Sequence, residues 1–182
     1  MLEFHTDRAH FFTQFSGMKK AANFTLIRQS ILTNLNELTP AQLNVIPVGF
    51  NNNIIWNLGH LSATVQRIFY SRSGGAGPLP QEFVDRYKNG TRPEEIVGEE
   101  EIAYIKEWLL KGIEQFEADF PTLKAGTYES WTSSYGVAVN TLNEALIIMH
   151  YHEGTHAGIM MAMKKIVMQP KKAQPKKVQP KK

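Results

Sequence analysis

The chain reads as an all-α protein, an up-down four-helix bundle with short extra helices in its loops. Three observations carry that expectation. Apolar residues recur at three- and four-residue spacing over four long stretches. Proline, glycine and asparagine cluster between those stretches. No stretch shows a convincing strand pattern.

Phe11, Phe15, Met18, Ala22, Leu26, Ile27, Ile31 and Leu35 mark a first helix from Asp7 to about Leu38, which Thr39-Pro40 closes. A short helical turn over Ala41 to Val45 follows the proline. Asn51-Asn52-Asn53 offers N-cap oxygens to a second helix reaching about Ser71, whose apolar residues include Ile54, Ile55, Trp56, Leu58, Leu61, Val65, Ile68 and Phe69. After a glycine- and proline-rich loop, Gln81 to Lys88 suits a short helix. A third long helix is expected to enter at Thr91 or Arg92-Pro93, to carry the apolar residues Ile102, Ile105, Trp108, Leu109, Ile113, Phe116 and Phe120, and to end at Pro121. Its glutamates, from Glu94 to Glu101, crowd the end where the helix dipole favours negative charge. Gly126 to Gly136 is loop with brief extended pieces around Tyr128 and Trp131. Thr141 and Glu144 have the spacing of a capping box and open a fourth long helix, Leu142 to Val167.

With 182 residues, 42% hydrophobic and 20% charged, one globular domain over residues 1–168 is expected. Residues 169–182 read QPKKAQPKKVQPKK, a Lys- and Pro-rich repeat too polar to pack and expected to be a disordered tail. The tail also explains the formal charge of +3: without its six lysines, 14 basic residues face 17 acidic ones. The body is therefore acidic, and no specific nucleic-acid binding is expected. No cysteine is present, so disulfides and thiolate ligands are excluded. Neither a signal peptide nor a membrane-spanning run is apparent, which makes a cytoplasmic protein without membrane insertion the expectation.

The chemistry-bearing residues gather in the fourth helix, at His150-Tyr151-His152-Glu153-Gly154-Thr155-His156. His152 and His156 are four apart, so they stack on one helix face and can hold one divalent metal between them. His150, two before His152, points elsewhere. His152 to His156 also spells H-E-x-x-H, the string of zinc metalloproteases. A protease of that kind needs a further ligand downstream, yet position 162 is Ala and no His, Asp or Glu follows the helix. Any third ligand must come from upstream. His60, mid-helix among apolar neighbours, is the candidate; a lone histidine there is more often a hydrogen-bonded core residue, but the later pair shifts the balance. Three neutral imidazoles suit zinc or nickel and leave a coordination position open.

Asn57-Leu58-Gly59-His60-Leu61, taken with His152-Glu153-x-x-His156-x-Gly158, resembles the DinB-like superfamily over about residues 7–167. Relatives include YfiT-type metal hydrolases and thiol transferases that use bacillithiol or mycothiol. The resemblance implies a four-helix bundle that forms homodimers, with His60, His152 and His156 as metal ligands. Where many relatives carry Gln after the glycine of the second motif, this chain has Ile159. The implied function is a metal-dependent hydrolase or thiol S-transferase acting on a small molecule; the alternative is a non-catalytic metal-binding or stress-related bundle protein. Glu153 is a weak candidate for general base, with a surface or dimer-facing role at least as well supported by its place one residue from His152. Asn57 and Arg67, near the helical face of His60, are weak candidates for substrate binding.

Overall fold

The computed structural model describes residues 23–169, and it is all-α apart from one minimal hairpin. The expected helical residues 7–22 and residues 170–182 of the Lys/Pro-rich repeat lie outside the described residues. We label the elements α1 (residues 23–35), α2 (Pro40–Asn44), α3 (Ile54–Val65), α4 (Gln81–Tyr87), α5 (Glu99–Ala125), β1 (Trp131–Thr132), β2 (Ala138–Val139) and α6 (Leu142–Val167).

The helix starts follow from local chemistry. Thr39 and Gln42 cap α2 reciprocally. Asn53 caps α3, its side-chain oxygen accepting from Trp56 N–H at 2.8 Å. At α6 the Thr141 hydroxyl accepts from Glu144 N–H, while the Glu144 carboxylate reaches back to Asn140 N–H, one residue short of a standard box. α5 corrects the expectation at both ends. It begins at Glu99, not at 91–93, because the irregular segment before it is tied to α2 at Val97, whose N–H donates to Asn44 Oδ1 and whose carbonyl accepts from Asn44 Nδ2. It also runs through Pro121, which is exposed, so the missing donor costs no buried group. Phe120, fully buried on one side, and Leu123, packed in the core on the other, keep the last turn helical.

α3 is apolar nearly all round and all twelve of its residues are buried, as befits a helix enclosed by others. It contacts α2, α4, α5 and α6. Beyond Val65 it continues as a π turn, Gln66–Tyr70, and a 3₁₀ turn ending at Gly74 in the left-handed region. The π turn places the Gln66 amide against the backbone of Leu79, with which it exchanges two 2.7 Å hydrogen bonds.

Helix directions differ from the expected up-down order. Tyr70, in the π turn that continues α3, meets Asp119 in the last turns of α5, while Leu61 and Leu109, earlier on the same two helices, both meet Arg28. α3 and α5 are thus parallel, and α6 runs opposite to them, with Met163 beside Asn57 and His152 beside His60. Residues 74–98, carrying α4, return the chain from the end of α3 to the start of α5; a short loop could not do so.

The apolar core falls into two clusters. One gathers Ile31, Leu35, Leu58, Leu61, Leu109 and Met160; the other Phe24, Val65, Phe69, Ile113, Phe116 and Met149. On each long helix the boundary between them carries a polar residue or a glycine: Arg28 on α1, Thr64 on α3 with His60 one turn before it, Gly112 on α5, and the 152–156 stretch on α6. A polar layer crosses the interior between two hydrophobic halves.

Candidate metal centre

His60 on α3 and His152 and His156 on α6 meet in that layer. Their ligand nitrogens all lie within 4.8 Å of one another. His60 Nε2 and His152 Nε2 are 3.2 Å apart, near the spacing of about 3.3 Å between nitrogens bound at about 2.0–2.1 Å around a tetrahedral zinc.

Two of the rings are held from behind. His60 Nδ1–H donates to the Tyr87 carbonyl at 2.7 Å. His156 Nδ1–H donates to Asn57 Oδ1, also at 2.7 Å. Asn57 Nδ2 donates to the Asn53 carbonyl at 2.7 Å, which decides which end of its amide faces the histidine. Carbonyl oxygens can only accept, so in both rings the proton sits on Nδ1 and the Nε2 lone pair is free to ligate. Acceptors placed behind ligating histidines in this way fix tautomer and orientation. Trp56 adds a stacked face against His60, ring centroids 4.8 Å apart and nearly parallel at 12°. The Thr64 hydroxyl donates to the His60 carbonyl and leaves its oxygen 3.3 Å from His60 Nε2. His152 differs: its Nδ1 is buried and has no hydrogen-bond partner among the described residues.

All three imidazoles are pushed toward the neutral form. Burial lowers His152 to about 3, assisted by the charges of His156, His60 and Arg28. Burial, then the charge of His60, lowers His156 to about 4. His60 is lowered by burial, partly offset by its bond to Tyr87, with Arg67 lowering it further. Near neutrality the cluster therefore presents lone pairs that need shed no proton to bind a cation. An all-nitrogen, neutral, convergent donor set fits a divalent metal.

The family model of the DinB superfamily matches residues 23–160, which include all three histidines. The chain belongs to the DinB superfamily. Among curated proteins, none matches it. No helix among its described residues is long and apolar enough to cross a membrane.

In this DinB-superfamily chain the remaining candidates separate clearly. His150 lies apart, its ring 4.0 Å from that of Phe24 and its Nδ1 bonded to the Leu146 carbonyl. Glu153 is not on the surface: it is completely buried, and its Oε1 accepts from Arg28 Nε and Nη2. Turned inward by its place 100° round the helix from His152, it faces α1. Asn57 is buried behind His156 and orients it. Arg67 is half-buried in the π turn, close enough for its charge to act on His60. A cavity of about 310 Å³ touches the two groups behind His60, Trp56 and Tyr87. Tyr87 acts through a backbone carbonyl, for which no residue signal exists. Trp56 and Thr64 stand four before and four after His60, a spacing that was available to find them.

Proposed function

We propose that this DinB-superfamily protein is a metal-dependent enzyme built on a four-helix bundle. It holds one zinc or nickel ion on His60, His152 and His156 and acts on a small molecule. Its reaction is hydrolysis or S-transfer from a low-molecular-weight thiol of bacillithiol type. The observation that carries the reading is the convergence of three neutral imidazoles, two of them fixed as Nδ1–H tautomers by Tyr87 and Asn57. Three protein ligands, where structural zinc sites usually have four, support catalysis over pure bracing.

When bound, a divalent cation supplies Lewis acidity, which brings the pKa of water or a thiol toward neutrality. The chain's own residues do the rest. Tyr87 and Asn57 keep Nε2 of His60 and His156 aimed inward. The Thr64 oxygen, beside His60 Nε2, can accept a hydrogen bond from a group held next to the histidines. Arg67, one turn beyond Thr64, supplies positive charge that draws an anionic substrate toward the site. Glu153 is engaged by Arg28 and is assigned no proton transfer. The reading extends to a cytoplasmic homodimer without nucleic-acid partners.

Metal-loaded protein incubated with activated esters and amides in water, and separately with bacillithiol and an alkyl halide, tests the assignment. Turnover in water alone makes it a hydrolase. Thiol consumption that EDTA abolishes makes it a transferase. Stoichiometric metal with neither reaction would leave a non-catalytic metal-binding bundle.

A further inference from the structure

Among the described residues, His152 lacks the acceptor that His60 and His156 each have behind them. The neighbouring residue is Glu153, completely buried and held by Arg28, itself completely buried. The guanidinium does more than pair with that carboxylate. Its Nη1 donates to the Leu109 carbonyl of α5 at 2.8 Å, its Nη2 to the Leu61 carbonyl of α3 at 3.1 Å, and its Nε to Glu153 Oε1 of α6 at 3.1 Å. One side chain from α1 thus joins all four long helices. Two of its anchors, Leu61 and Glu153, directly follow His60 and His152 in sequence.

Resting on the metal-site reading above, we propose that Arg28 is the positioning residue of the triad. By tying the backbone at 61 to the side chain at 153 it fixes the rotation of α6 against α3, and so brings His152 Nε2 opposite His60 Nε2. A planar guanidinium presents several donors in a fixed fork and can serve three acceptors on three helices; an ammonium of similar charge cannot hold the same geometry. Replacing Arg28 therefore acts on the metal even though the guanidinium is no ligand.

The test is zinc affinity by competition with a chelating dye, for wild type, Arg28→Lys, the charge-neutral pair Arg28→Met with Glu153→Gln, and Phe116→Leu in the opposite core cluster as a control. Urea denaturation of each variant shows that it is folded. Both Arg28 variants are expected to lose about tenfold or more in affinity, while the control keeps the wild-type value despite lower stability. Wild-type affinity in folded Arg28 variants overturns the proposal, as does an equal loss in the control. Should wild type bind no zinc, the metal reading fails on its own, and imidazole ¹⁵N spectra of the metal-free proteins decide the positioning claim. A His152 signal unchanged by both Arg28 variants then overturns it; one that alone shifts to the pattern of a freely exchanging ring supports it.

Discussion

Gly59→Ala tests the link between helix packing and the metal site. In an ordinary helix the change gains about 1 kcal/mol from backbone entropy. Here the new Cβ would stand 2.6, 2.7 and 2.9 Å from Cδ1, Cγ and Cε1 of Tyr87, against an ordinary carbon contact of about 3.5–4.0 Å. The ring must retreat by roughly 1 Å. It has nowhere easy to go: Tyr87 is 2% exposed, its hydroxyl donates to Glu101 at 2.8 Å, and its carbonyl holds His60. Overpacking of this kind costs about 1–3 kcal/mol, so the net expectation is a loss of up to about 2 kcal/mol. Gly158→Ala makes the same chemical change on an open face of α6, where an added Cβ meets nothing within 4 Å. It should gain about 0.5–1 kcal/mol. Urea denaturation at 25 °C measures both, and dye competition measures zinc affinity. Gly59→Ala should also weaken zinc binding by about tenfold, through the displaced Tyr87 carbonyl, while Gly158→Ala leaves it alone. Two alanines that stabilise equally, with unchanged affinity, would refute the claim that Tyr87 is wedged against α3 to hold His60.

Further outcomes follow from the same geometry. Asn57→Leu removes the acceptor behind His156 and should cost about 10–100-fold in zinc affinity with the fold retained; an affinity within twofold of wild type counts against the Asn57–His156 bond. The metal-free protein should lose stability on acidification: unfolded histidines take up protons below about pH 6.5, while folded His152 and His156 resist until about 3 and 4. In that window the unfolded state binds more protons, so stability falls as pH falls, by about 2 kcal/mol per ring at pH 5. Urea midpoints that stay level from pH 7 to 5 would contradict it. Saturating zinc should raise the unfolding free energy by about 4 kcal/mol at a thousandfold excess over the dissociation constant, and thermal melting with and without EDTA reads this directly.

Much of this was legible in the residues because it depends on short spacings. The four-residue interval of His152 and His156, the Asn53 cap and the apolar rows of α3 and α6 are local facts that the fold only had to respect. What escaped depends on distant partners. Glu153 looks solvated on a helical wheel; only Arg28, from 125 residues away, gives it a reason to be buried. The parallel course of α3 and α5 is decided by how residues 74–98 cross the end of the molecule, which no periodicity encodes. Pro121 reads as a stop signal until Phe120 and Leu123 are seen holding the helix on either side. Tyr87 contributes to the site through a carbonyl that every residue possesses.

The most direct test is the metal content of purified protein by elemental mass spectrometry, comparing wild type with His60→Ala and His150→Ala. About one zinc or nickel per chain is expected in wild type and in His150→Ala, and none retained in His60→Ala, because two imidazoles seldom hold a divalent ion against competing ligands. Metal lost equally from both variants, or absent from wild type even after reconstitution, would contradict a centre built across α3 and α6.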